Sequence, residues 1–330
     1  MFVPSTYAVA LFMMFLSMVC WGSWANTQKL TGNWRFELFY WDYVWGILLM
    51  SVLMGFTLGN TRPGSPESFM TNLGRADIHH LLLAFAGGIV FNIANILLVA
   101  AIAIAGLAVA FPIGIGLALV IGSILNYIIT PGGNPVLLFG GIALVCVAIV
   151  LDAMAYRKIS EDLKLSTKGI LLSLLCGVGM GLFYPFVAKA LKGEHHLVPY
   201  TVAYVFGIGI LVCTVPLNYI FMRKPVSGPP VRFVDYLHGS KSLHFWGVLG
   251  GMIWGVGTIS NFVASYVKMV GPATSYSLGQ GATMVSAIWG VFVWKEFARA
   301  DSSARRLLAL MFAFFIAGLI CVALAPVVKF

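Results

Sequence analysis

Uninterrupted apolar runs of about twenty residues recur along this chain. A run of that length, at 1.5 Å of rise per helical residue, spans the hydrocarbon layer of a bilayer. In lipid no water satisfies backbone N–H and C=O groups, so only helices and closed barrels cross it. Barrel strands would read as alternating segments of roughly ten residues, whereas these runs are continuously apolar. Charge is scarce in the same sense: 9% of the 330 residues are Asp, Glu, Lys or Arg and 60% are hydrophobic, against about 25% charged in a soluble domain. Mean hydropathy is +0.95. The chain is therefore read as an all-α polytopic protein embedded in a lipid bilayer. Ten transmembrane helices are predicted, over 5–25, 36–58, 79–104, 107–129, 135–156, 169–190, 199–222, 243–267, 271–294 and 304–326.

The net charge of +9 does not point to nucleic acid, because the basic residues sit in short loops between spans. Fourteen of the twenty Lys and Arg follow segments 1, 5, 7 and 9. The bias of positive residues toward cytoplasmic loops then places residues 157–168 in the cytoplasm and both termini outside, in a cell's inner or plasma membrane. No cleavable signal peptide is expected, since the first run lacks a basic start and a small-residue cleavage site. The five cysteines all lie within apolar runs, without metal-ligand spacing, and read as packing residues.

Weak self-similarity runs through the two halves. Trp24–Lys29 matches Tyr184–Lys189 at an offset of 160, and Tyr43–Ile47 matches Tyr204–Ile208 at 161. Gly87-Gly88 matches Gly250-Gly251 at 163, and Gly114–Gly116 matches Gly279–Gly281 at 165. Five helices per copy is an odd number, so a second copy would enter the membrane upside down. The expected organisation is a five-helix repeat over 1–156, a short cytoplasmic linker over 157–168 and an inverted repeat over 169–330. Inverted repeats around a midplane site characterise secondary transporters.

Trp21-Gly22-Ser23-Trp24, Tyr40-x-Asp42-Tyr43 and Val120-Ile121-Gly122-x-x-Leu125-Asn126-Tyr127 resemble the ureide permeases. That family belongs to the ten-helix drug/metabolite transporter superfamily, near its bacterial sugar (glucose/ribose/rhamnose) porters. Gly250-Gly251 through Phe292–Phe297 fits the same superfamily. The resemblance implies two inverted five-helix repeats, a central cavity, and uptake of small neutral polar solutes such as allantoin, uracil or sugars, typically with proton coupling. One departure is that plant ureide permeases carry a long cytosolic segment between helices 5 and 6, where this chain has about a dozen residues.

Within the spans, Asp42 is read as the one carboxylate set well inside a hydrophobic segment, about 9 Å from a helix start at Phe36. A charge at that depth costs about 3 kcal/mol on insertion scales, which makes function the default reading. Asp42 is the expected proton-coupling residue. Its alternative is an interfacial carboxylate capping a helix or pairing with Lys29 or Lys189. Asn92 and Asn95, three apart, share one helix face and suit a solute with donors and acceptors, or else bond neighbouring helices. Thr258 repeats that spacing with Asn261, and Trp254 lies one turn earlier. The ninth segment is the most polar, and Tyr276, Gln280 and Thr283 form a stripe expected to line the cavity. Trp21 and Tyr43 are chosen to stack on the solute, although Trp and Tyr also anchor helices at interfaces. No phosphate loop, metal constellation or nucleophile–base set is visible, so neither cofactor, ATP-driven pumping nor enzymatic chemistry is expected. Competing readings are a metabolite or drug exporter of the same superfamily and a receptor or assembly subunit that moves nothing.

Overall fold

The computed structural model describes residues 1–105, 107–159, 167–226 and 228–328. Most of the linker predicted at 157–168 thus lies outside the described residues. The helices in chain order are α1 (Tyr7–Ser23), α2 (Ala25–Leu30), α3 (Phe36–Phe56), α4 (Phe69–Gly74), α5 (Ile78–Ala105), α6 (Leu107–Ile129) and α7 (Pro135–Ile159). They continue as α8 (Thr167–Ala190), α9 (Pro199–Arg223), α10 (Phe233–Leu237), α11 (Lys241–Tyr266), α12 (Gly271–Gly279), α13 (Ala282–Ile288) and α14 (Ser302–Leu324). Among the described residues, eight helical spans are long and apolar enough to cross a membrane, the first running through α1 and α2. The 113–129 stretch of α6 is a shorter apolar helix. Side chains from nearly every span meet in one core, with polar residues such as Asn92, Asn126 and Asn261 buried among the apolar ones.

The segment expected as one helix over 271–294 is interrupted. Gln280 and Gly281 form a 3₁₀-type turn, in which Gly281 N–H reaches Leu278 O at 3.0 Å and Met284 N–H reaches Gly281 O at 2.9 Å. Glycines at 279 and 281 carry the helix penalty that permits the break. A π-turn follows over Trp289–Val293, closed by Trp294 N–H on Trp289 O at 2.9 Å.

Two helix crossings set the frame for the centre. Where α3 meets α11, a Cβ on Gly46 would overlap Val248 O, and one on Gly251 would overlap Tyr43 O. Where α5 meets α9, a Cβ on Gly209 would overlap Phe85 O, and one on Gly88 would overlap Phe206 O. Only glycine lets backbones approach this closely within a membrane bundle. Gly46 and Gly209 are 163 residues apart, and so are Gly88 and Gly251, Phe85 and Val248, and Tyr43 and Phe206. The packing register thus differs by two residues from the 161 offset read off Tyr43–Ile47. That match paired similar residue types, whereas the contacts pair Gly46 with Gly209 rather than Gly207.

Candidate functional site

Asp42 lies where α11 leans on α3. Gly247 has no side chain to hold the helices apart, and a Cβ there would overlap Asp42 Cβ. Three residues earlier on α11, His244 places Nδ1 2.8 Å from Asp42 Oδ2. The hydroxyl of Tyr236, on α10, donates to Asp42 Oδ1 at 2.8 Å. Both carboxyl oxygens are therefore engaged, and the residue is only 4% exposed. Trp34 and Tyr236 pack edge-on against the His244 ring. Lys29 is engaged elsewhere, bridging Glu296 at 2.5 Å, while Tyr156 donates to the other Glu296 oxygen at 2.8 Å. Asp42 is also not the one deeply set carboxylate. Asp152 in α7 is buried as well, with Oδ1 lacking a hydrogen-bond partner among the described residues.

One turn inward from the start of α3 lies a layer of polar side chains. Tyr40 donates its hydroxyl to Asn92 Oδ1 at 2.7 Å and accepts from Asn95 Nδ2 at 3.1 Å. Thr214 Oγ1 approaches Asn92 Oδ1 at 3.3 Å. Asn92 Nδ2 and the Tyr43 hydroxyl, both fully buried, have no partner among the described residues. A buried donor left unpaired costs about 1–3 kcal/mol, so either group would be stabilised by a polar partner. A cavity of about 240 Å³, lined by Trp34, Arg35, Glu37, Ile96 and Asn218 among others, opens one turn from this layer. Glu37, Ile96 and Asn218 follow the helix phase of Tyr40, Asn92 and Thr214. Glu37 is buried and held by Arg35 at 2.7 Å.

Beyond the layer is an aromatic cluster around Trp254. Phe91 lies 4.5 Å from it, Trp21 6.3 Å, and Tyr43 and Phe206 6.4 Å, all between ring centroids. Trp21 Nε1 donates to Thr258 Oγ1 at 3.0 Å. Beside it lies a void of about 10 Å³, about the size of one water. Its eight lining residues are Ile47, Ser51, Ala203, Phe206, Trp254, Gly255, Thr258 and Ile259. Each is 163 residues from a member of the polar layer or its neighbours, namely Ile210, Thr214, Tyr40, Tyr43, Phe91, Asn92, Asn95 and Ile96 respectively. The void exists because Ala203 and Gly255 stand where the related layer has the bulk of Tyr40 and Asn92.

Trp21, Tyr43, Asn92, Asn95, Trp254 and Thr258 are thus gathered along one axis of the bundle. Tyr276 is not: its hydroxyl sits at 3.1 Å from Ala118 O and 3.0 Å from Met180 O, tying α12 to α6 and α8. The 3₁₀ turn shifts the helix phase after Gln280, and Thr283 donates back to Gln280 O at 3.0 Å. Thr283 thus stays one turn from Gln280, while the Tyr276 hydroxyl is taken up by α6 and α8. Nothing in spacing or depth singles out His244, Tyr236 or Asp152 in the sequence, and Glu296 stands out there only as part of the 292–297 motif. His244 lies close to the predicted start of a span, and the α3–α11 crossing, close at Gly247, brings it to Asp42.

Many spanning helices, buried unpaired polar groups between them and a cavity one helical turn away define a multi-pass membrane protein with the features of a solute carrier. The ureide permease family model matches residues 39–169 and 164–325, and the chain belongs to that family. It is similar to Ureide permease 2 of Arabidopsis thaliana, 26% identical with 96% of this chain and 97% of that protein covered. Ureide permease 4 of the same plant is 25% identical over 96% of this chain and 97% of its own length. Glucose uptake protein GlcU of Bacillus subtilis (strain 168) is 26% identical, covering 65% of this chain and 69% of that protein. A solved crystal structure shares the fold at a TM-score of 0.67 and 14% identity, covering 95% of this chain and 96% of that one. The chain is accordingly a transporter of small solutes and not an enzyme.

Proposed function

We propose that this protein is a secondary active carrier that takes up a small neutral polar solute, a nucleobase or ureide or a sugar, by proton symport with alternating access. In this reading residues 1–156 and 169–330 are inverted five-helix repeats joined by the 157–168 linker. The observation that carries it is the 163-residue spacing that relates both glycine crossings and all eight residues around the void to their counterparts. Two inverted copies around one axis supply the two access routes that alternating access needs.

The two ends of that axis differ in a way that supports the same reading. The cavity at Glu37 and Asn218 is open, with a volume of about 240 Å³. The positions 163 residues from them, Tyr200 and Gly55, are closed over: Tyr200 is fully buried, and Phe69 of α4 packs its ring against Gly55. With both termini outside, the open cavity faces the cytoplasm and the Phe69–Tyr200 plug faces out. The solute is held between Trp21, Tyr43 and Trp254 as ring surfaces and Asn92, Asn95 and Thr258 as polar contacts. Asp42 carries the proton, with His244 Nδ1 as its exchange partner at Oδ2.

The test is uptake of radiolabelled uracil, allantoin and several sugars into proteoliposomes with and without an inward proton gradient, for wild type and Asp42→Asn. Gradient-driven accumulation of one of these solutes, lost in the variant while exchange survives, is the expected result. Equal accumulation in both proteins removes Asp42 from the coupling step.

A further inference from the structure

Between α3, α9 and α10 runs a groove of about 510 Å³ that belongs to neither the polar layer nor the Trp254 cluster. Trp41 and Trp45 form one wall, Val215 and Tyr219 the other, and Phe233 and Tyr236 its end. Trp45, Val215, Tyr219 and Phe233 are about half exposed, so the groove opens outward on the side of the bundle that contacts acyl chains. One basic side chain lies at the groove's end, and a second follows it in the chain. Arg223, the last residue of α9, holds its guanidinium 4.7 Å from the Tyr219 ring, and Lys224 beside it is exposed.

The short helix α10 is built for the interface between water and lipid. Phe233, Val234 and Leu237 are all exposed, Leu237 at 62%, although α10 lies in a charged connection outside the spans. A short segment that shows apolar residues beside Arg232 and Lys241 is suited to lie at the headgroup boundary. Phe233 also packs edge-on against Trp41 at 5.7 Å, so α10 closes the groove.

We infer that this groove binds one anionic phospholipid, its acyl chain between Trp45 and Val215 and its phosphate at Arg223 and Lys224. The apolar walls fit a hydrocarbon chain, and the paired cations fit an anionic headgroup rather than a zwitterionic one. Tyr236 lines the groove and also bonds Asp42 at 2.8 Å. Binding of the lipid stands apart from the transport reading, and its test does not use transport.

The experiment is native mass spectrometry of the detergent-solubilised protein titrated with phosphatidylglycerol or phosphatidylcholine of matched chains. A companion measurement is quenching of tryptophan fluorescence by brominated versions of each lipid, with Trp41 and Trp45 as the near reporters. The expected result is a several-fold preference for phosphatidylglycerol in the wild type. In Arg223→Gln/Lys224→Gln the preference falls to near unity, with retention of phosphatidylcholine unchanged. In Val215→Trp, which fills the groove without altering charge, retention of both lipids and their extra quenching drop together. Equal retention of the two lipids by the wild type, or an unaltered preference in the double variant, overturns the inference.

Discussion

His244 Nδ1 and Asp42 Oδ2 meet at 2.8 Å across the α3–α11 crossing, from residues 202 positions apart. The approach depends on Gly247, and the second carboxyl oxygen is held independently by Tyr236. One carboxyl group thus joins a spanning helix, the start of another and a surface helix. Under the coupling proposed above, Asp42→Asn keeps the shape and the Tyr236 contact but has no proton to exchange. Accumulation driven by a proton gradient is expected to fall at least tenfold, a loss of about 1.4 kcal/mol of coupling, while counterflow persists. His244→Gln is expected to alter the pH profile of uptake while leaving counterflow intact. A wild-type profile in that variant would assign the histidine a packing role only.

The glycine crossings are testable by stability alone. A Cβ on Gly251 would overlap Tyr43 O, whereas one on Gly140 would meet nothing within 4 Å. Overpacking costs typically 1–3 kcal/mol, so Gly251→Ala is expected to lower the melting temperature in detergent by several degrees. Gly140→Ala should leave it unchanged or raise it slightly. Equal melting temperatures for the two variants would show that α3 and α11 separate without penalty.

Tyr236 gives a pH dependence with a defined sign. Burial first, and then the Asp42 carboxyl to which it donates, push its phenol above the ordinary value. A group whose pKa is higher folded than unfolded contributes in full below its unfolded value, about 10 for tyrosine, and loses that contribution as pH rises through the folded value. Tyr236→Phe is therefore expected to lower thermal stability by a constant amount between about pH 7 and pH 9, with the gap narrowing above about pH 10. Melting curves across that range check it, and a gap that widens at alkaline pH would contradict it.

Asp152 makes the opposite kind of prediction. It is 8% exposed and Oδ1 has no partner among the described residues. Removing a buried acceptor that lacks a donor recovers desolvation on the order of 1 kcal/mol. Asp152→Leu, of similar volume, is expected to raise the melting temperature. If it does and uptake falls, the carboxyl is kept for function at the expense of stability. A lower melting temperature would show that the oxygen is satisfied by water.

Much of this molecule could be read from hydropathy, because a bilayer leaves a chain few ways to satisfy its backbone. The helices over 36–56, 135–159 and 199–223 begin and end close to where apolar runs do. Asn92 and Asn95 on one face, and Trp254 a turn before Thr258, follow helix period and could be placed beforehand. What could not be placed depends on contacts between distant segments. The Asp42–His244 pair exists through one crossing. The burial of Asp152 depends on neighbouring helices covering the end of α7, a stretch that reads as a span edge because Arg157 and Lys158 follow it. The stripe through Tyr276, Gln280 and Thr283 assumed one uninterrupted helix, and the 3₁₀ turn at Gln280 and Gly281 changes the angle per residue there. Glycines on both sides of Gln280 were the available signal.

The contrast between Tyr40 with Asn92 and Ala203 with Gly255 bears on energetics. A carrier built from two identical inverted halves would have inward-open and outward-open states related by symmetry and therefore equal in free energy. Here one half is filled by a phenol and an amide and the other keeps a void of about 10 Å³. Under the alternating-access reading proposed above, that difference helps to lift the degeneracy, beside the open cavity at Glu37 and Asn218 and its closed counterpart at Tyr200 and Gly55, so part of the resting bias rests on these four positions. It can be retuned by adding or removing side-chain volume there, without touching the residues proposed to carry the proton.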